Sequence, residues 1–139
     1  MNSFSQFSDE EILARTAFGE NRGGGVQGMQ SVLNVIMNRS KKPGWWGKTP
    51  RDVCLHPYQF SCWLQKDPNY LLITTVNQSN PTFGLALDLA RTALAGELKD
   101  LTNGATYYYA TSMKSPPHWA VGKTPCAKIS NQLFFNDVE

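Results

Sequence analysis

The sequence is poor in charge. Asp, Glu, Lys and Arg make up 17% of 139 residues, and 13 basic against 11 acidic side chains leave a net charge of +2. So slight an excess eases approach to a polyanion but does not argue for nucleic acid as a partner. No apolar run approaches the roughly 20 residues of a membrane-spanning helix, so a membrane is not an expected partner either. There are only two His and three Cys. An odd count speaks against a disulfide framework. Free thiols in a reducing compartment are the simplest expectation, with a Cys54–Cys62 bridge left open for an oxidising one. No repeat, low-complexity stretch or linker divides the chain. Met1–Phe7 has neither a basic stretch nor an apolar run, so no secretory signal is expected.

What is present is apolar and aromatic. With 41% apolar residues the composition is that of a folded protein. Residues 1–139 are expected to form one domain, burying about 70% of the surface exposed by the unfolded chain. Four Trp, five Tyr and seven Phe accompany 11 Gly.

The patterning predicts helices first and a small β region after them. Ser8 and Glu11 stand in the capping-box relation, and Ile12, Leu13, Thr16 and Ala17 follow at helical spacing. This helix is expected to stop at Gly19, near Gly23-Gly24-Gly25. Met29, Val32, Leu33, Ile36 and Met37 form one apolar stripe on a second helix. Arg39 suits its C-terminal end, and Pro43-Gly44 breaks it. Thr49-Pro50 and Asn80-Pro81 each place a capping residue before a proline at the first helical position. The second of these opens a long helix with Phe83, Leu87, Ala90 and Leu94, ending near Gly96. Asn103-Gly104 reads as a turn, residues 105–110 as a strand, and Ile129–Phe135 as its partner. The fold class expected is α+β, with a cleft between two lobes.

Glu20 is the first candidate for chemistry. If the helix continues that far, its carboxylate shares a face with Leu13, Thr16 and Ala17 and meets glycines that leave room for a ligand. Half-apolar surroundings and the negative end of the helix dipole would both favour the protonated form, as a general acid requires. The competing reading is a surface glutamate paired with Arg22. Tyr58-Gln59-Phe60-Ser61-Cys62-Trp63 mixes rings with small polar groups, as does Pro116-Pro117-His118-Trp119, and Trp45-Trp46 adds two more rings. Such mixtures suit a sugar-binding cleft and suit ordinary loop packing equally. Tyr107 and Tyr109 should share one face of their strand. Two other chemistries stay open. His118 and Cys126 are eight apart, a His–Cys separation used by some phage zinc amidases, with His56 as the only other histidine. Cys62 with His118 is a conceivable nucleophilic pair without a local signature.

Leu13–Gly23, reading LARTAFGENRG, resembles the hydrophobic-x-GEARGE box of the SleB-type cell wall hydrolases, the spore cortex-lytic enzymes and their phage relatives. Further blocks follow in the family's order at Gly28–Arg39, Gln59–Trp63, Asp100–Tyr108 and Ile129–Phe135. The resemblance implies a lysozyme-like, mainly helical domain with a small antiparallel sheet. It implies peptidoglycan glycan strands as partner and substrate, with no cofactor and no metal. The activity implied is that of a lytic transglycosylase, cutting the β-1,4 bond between N-acetylmuramic acid and N-acetylglucosamine.

The first Glu of the box lands on Glu20, which the resemblance makes the catalytic acid. Gln59 and Ser61 are then expected to bind the N-acetyl group or the sugar ring, Tyr107 or Tyr109 to support developing charge, and Trp63 and Trp119 to stack on sugars. Asn38 and Asn131 are expected to brace the Glu20 loop. Two departures stand out: Gly24 replaces the box's second Glu, and Asn131-Gln132 stands where the family has Asn-His. With one carboxylate secure, a route through a 1,6-anhydro ring is expected. Asp52 or Asp100 folding in as a second carboxylate would restore hydrolysis by a muramidase. A zinc amidase and a non-catalytic peptidoglycan-binding module are the remaining alternatives. The setting expected is that of a monomeric phage endolysin, held in the host cytoplasm until lysis and then acting on the cell wall.

Overall fold

The computed structural model describes residues 4–42, 44–57 and 59–138. The Met1–Ser3 part of the expected N-terminus and Pro43 of the expected helix break lie outside them. Helix α1, Asp9–Asn21, opens with both halves of the capping box: the Glu11 N–H donates to Ser8 Oγ (3.1 Å) and the Ser8 N–H to Glu11 Oε1 (3.2 Å). It does not stop at Gly19. A Cβ there would come within 2.8 Å of Ile73 Cγ2 and 3.0 Å of Cys62. The glycine therefore serves close packing, and the helix runs on through Glu20. A 3₁₀ turn, Arg22–Gly24, leads into α2, Gly25–Lys41.

Helix α3, Pro50–Leu55, is capped by Thr49 Oγ1, which accepts from the Asp52 N–H, and α5, Pro81–Leu94, by Asn80, which accepts from the Phe83 N–H. Helix α4, Tyr70–Thr75, was not anticipated; no side chain caps it, and only Ile73 of its six residues is buried. Helix α1 packs on α5 and α2. Their shared core holds Ile12, Leu13, Phe18, Val32, Leu33 and Phe83, with the Phe18 and Phe83 rings edge to face at 5.7 Å. Burying each such side chain contributes roughly 1.5–3 kcal/mol.

The expected single strand 129–135 is two strands. The chain folds back at Ser130, whose φ is +55°, so that β2, Ala127–Ile129, and β3, Gln132–Phe135, form a hairpin. With β1, Tyr107–Ala110, they make an antiparallel sheet in the order β1-β3-β2, in which Tyr108 faces Phe134 across the ladder. Val35 of α2 meets Ala105 and Phe134 in a small second core, which seats the sheet on the helices.

Helix α2 also holds the loop before the sheet. Asn34 donates to the Lys99 carbonyl and accepts from the Leu101 N–H, both at 3.0 Å. Asn38 donates to the Ala105 carbonyl (2.9 Å) and to Asp100 (3.1 Å). The Asp100 carboxylate organises this loop, accepting from the Thr102 N–H and hydroxyl and from the Gly104 N–H. Partial burial would raise its pKa, but these hydrogen bonds outweigh that and hold it below the usual carboxylate range.

Candidate active site

The end of α1 carries Glu20 to the seam between helices and sheet. Its neighbours arrive from three directions. From β1, the Tyr108 hydroxyl donates to Glu20 Oε1 at 3.0 Å. From the 3₁₀ turn Ser61–Trp63 comes Cys62, whose thiol and backbone N–H both favour the ionised carboxyl, while the charge of Asp67 opposes it. Burial raises the pKa of Glu20 above the ordinary carboxylate value; the Tyr108 hydroxyl and the polar groups of Cys62 pull it down without cancelling the rise, and Asp67 pushes it further up. The result is a half-buried carboxylic acid inclined to keep its proton. Arg22 does not pair with it. The guanidinium turns to Asn69 Oδ1 (2.9 Å) and the Phe18 carbonyl (3.4 Å).

The tyrosine that reaches Glu20 is the one between the two expected. Strand alternation puts Tyr108 on the helical side, while Tyr107 and Tyr109 pack on Trp119 at 5.0 and 5.9 Å between ring centres. Tyr109 also stacks on Phe135 and with Trp119 covers the sheet's other face, whereas Tyr107 reaches from Trp119 back to Trp46 (6.0 Å) and the main core. Trp63 is a second correction. It lies in the core against Phe4 and Phe7, and its indole N–H donates to Thr16 Oγ1 at 2.8 Å, so it presents no face to a sugar. Trp46 is likewise buried, its N–H capping the end of α2 at the Arg39 carbonyl (2.9 Å), whereas Trp45 is exposed. Tyr58 lies outside the described residues.

The expected braces also differ. Asn38 braces the loop at Asp100 and Ala105, which leads to Tyr108, and not the Glu20 loop itself. Asn131 is exposed at the β2–β3 turn, where its backbone carbonyl accepts from Thr111. The contact beside Glu20 comes from buried Gln132, whose Oε1 accepts from Asn21 Nδ2 at 3.0 Å. Gly24, in place of the box's second Glu, has an unremarkable φ of −87°. What it lacks is space: a Cβ would meet both Asn21 amide atoms at 2.8 Å and Ser130 Oγ at 2.9 Å.

Neither Asp100, occupied in its loop, nor Asp52, exposed at the start of α3, bears on Glu20; the carboxylate that does is Asp67. Residues of the zinc alternative are scattered. His118 is exposed, the Cys126 thiol donates to the Thr102 carbonyl, and His56 sits against Trp45. Among the described residues no group of three or more His, Cys, Asp and Glu could hold a metal. All three cysteines are free. Burial pushes the Cys54 thiol up to about 12 and that of Cys62 higher still, which suppresses the thiolate a nucleophile needs.

Ser61 opens the turn that carries Cys62, and Gln59 lies two residues before it. Ser61 is exposed, and Gln59 is half-buried with its Oε1 accepting from Arg39. Arg39 stands in the last turn of α2, as its charge suggests. It is also buried, donates from Nε to the Thr106 carbonyl (2.7 Å), and lies 5.3–5.6 Å from the rings of Trp46, Phe60 and Tyr107. A hollow of about 230 Å³ adjoins the end of α1, between Phe18, Arg22, Gly23, Leu72, Asn80 and Thr82. A larger one, about 810 Å³, lies at the other end of α1 and holds none of the candidate residues.

This arrangement can deliver one proton from a desolvated carboxyl and take one back. The family model described as cell wall hydrolase matches residues 23–135, beginning just past Glu20. The fold is similar to the catalytic domain of the germination-specific lytic transglycosylase SleB from Bacillus anthracis. Identity is 26%, coverage 96% of this chain and 98% of that one, and the TM-score 0.69. The catalytic domain of the Bacillus cereus SleB protein shares the fold at 22% identity, with 96% and 93% coverage and a TM-score of 0.67. No curated protein matches.

Proposed function

The chain belongs to the cell wall hydrolase family, and from that premise we propose that it cleaves peptidoglycan glycan strands with Glu20 as both acid and base. The observation that carries this reading is the Glu20 carboxyl itself, desolvated at the end of a rigid helix and bonded to the Tyr108 hydroxyl. Protonated, Glu20 gives its proton to the glycosidic oxygen as the C1–O4 bond breaks, and positive charge develops at C1 of the muramic residue. The carboxylate left behind accepts the proton of the C6 hydroxyl while O6 bonds to C1. The products are a 1,6-anhydro-muramic end and a free 4-hydroxyl; no water is consumed and Glu20 returns to its protonated form. Similarity to a lytic transglycosylase domain over nearly the whole chain supports this route.

Mass spectrometry of digested peptidoglycan tests it. Anhydro-muropeptides are expected from the wild type and none from a folded Glu20→Gln variant; wall clearance by that variant would end the assignment. A second reading, hydrolysis by a muramidase, is favoured by the charge of Asp67 acting on Glu20. It calls for reducing muramic ends that disappear in Asp67→Asn. The setting proposed is phage-induced host lysis by a monomer acting at the wall. Co-expression with a pore-forming holin should lyse cells, and Glu20→Gln with the same holin should not.

A further inference from the structure

Arg39 is a buried cation with no carboxylate on it. No ion pair involving it occurs among the described residues, and its hydrogen bonds go to the Thr106 carbonyl and to Gln59 Oε1. A guanidinium only donates, so the Gln59 atom facing it must be the carbonyl oxygen. The amide is therefore fixed in one sense, with its NH2 on the side away from Arg39. That NH2 has no hydrogen-bond partner among the described residues and is not sealed from solvent. Three rings around Arg39 and its bond to the backbone just before β1 leave the guanidinium little freedom. The site lies close at hand, because Arg39 holds the Thr106 carbonyl and lies 5.3 Å from the Tyr107 ring, and the next residue of the strand, Tyr108, bonds to Glu20.

Resting on the reading of Glu20 as a glycan-cleaving acid, we propose that Arg39 is a positioning residue that locks Gln59 as a hydrogen-bond donor at the Glu20 seam, so that the site selects an acetamido carbonyl over a free amine on the bound sugar. A donor-only group rewards a carbonyl acceptor and repels the ammonium of a de-N-acetylated sugar, which offers nothing to accept. Had the amide been free to flip, Gln59 would serve either sugar and select neither. A buried arginine makes the choice without touching the substrate.

The test is the ratio of kcat/KM on N-acetylated glycan strands to that on the same strands after partial de-N-acetylation. Gln59→Glu keeps an acceptor for Arg39, and so keeps the fold, but presents only acceptors to the sugar. The ratio is expected to fall about tenfold, the worth of one exchanged hydrogen bond, chiefly through KM on the acetylated strands. Arg39→Lys retains the charge but cannot hold Thr106 and Gln59 together, and should lower the ratio by a smaller factor. Equal-fold losses on both strands in a Gln59→Glu protein of unchanged melting temperature, or an unaltered ratio, would overturn the inference. If Glu20→Gln still cleaves either strand, it is the functional reading that fails, whatever the ratio does.

Discussion

Residue 24 is where the chain departs from the GEARGE pattern, and its neighbourhood predicts an energetic coupling to residue 21. A Cβ at Gly24 would sit 2.8 Å from the Asn21 amide. Two responses are available. Asn21 can hold its place, and overpacking then costs roughly 1–3 kcal/mol. Alternatively the amide can swing away and give up its buried bond to Gln132, for about 1–2 kcal/mol. The cheaper response governs, so Gly24→Ala should destabilise by about 1–2 kcal/mol, and Asn21→Ala by a similar amount through loss of the same bond.

The two costs overlap. Once residue 21 is Ala, Ser130 Oγ, at 2.9 Å, is what remains of the three nearest atoms to a Cβ at 24, and a hydroxyl on a single rotor can turn aside. The double variant should therefore be more stable than additivity allows by about 1 kcal/mol. For 139 residues that is about 3–4 °C in Tm. Thermal and urea denaturation of the four proteins measures the cycle. Additivity within about 0.3–0.5 kcal/mol, the behaviour of independent sites, would refute the reasoning.

Tyr108→Phe removes a bond that favours ionised Glu20, so the pKa of Glu20 should rise further. The alkaline limb of kcat/KM should then move to higher pH while kcat falls about tenfold or more from loss of orientation; a limb that moves to lower pH contradicts the assignment. Burial raises the Glu20 pKa in the folded chain, so folded protein keeps a proton that unfolded chain has released. The stability linked to that proton is complete below the ordinary value of 4.5 and is lost as pH climbs through the folded pKa. Glu20→Gln should accordingly gain Tm over the wild type progressively above that value, and a gap that stays constant with pH would be the contrary result. Trp63→Phe should lower stability by about 1–2 kcal/mol through loss of the Thr16 bond, with KM for peptidoglycan unchanged; a weakened KM at unchanged stability would return this ring to the sugar site.

Much of the helical part was legible because its signals are satisfied locally. Ser8 with Glu11, Thr49 with Asp52 and Asn80 with Phe83 each close within three residues, and the stripe from Met29 to Ile36 is buried as its spacing implies. Glu20 was legible for a different reason, its place in a recognisable box. What escaped was decided from afar. Gly19 reads as a helix stop unless Ile73 and Cys62 are known to press on it. Alternation pairs Tyr107 with Tyr109, but which face meets α1 is set by the pairing of β1 with β3. Trp63 is committed to the core by Thr16 and by Phe4 and Phe7, and an aromatic run carries no mark of that. Asp67 acts on Glu20 across 47 positions of chain, and the burial of Arg39, beyond its place in the last turn of α2, comes from rings and a carbonyl contributed by other segments.

The pairing of Tyr108 with Phe134 has a consequence for how the chemistry can be lost. Because strand side chains alternate, sliding β1 by one residue would turn Tyr108 outward and swing a ring from the opposite side toward the acid. Every residue would still be present, and the sheet would still be a sheet. On the proposed reading, proton transfer thus depends on a count of backbone rungs as well as on the carboxyl group itself, and insertions near the Asn103-Gly104 turn are where that count is most exposed to error.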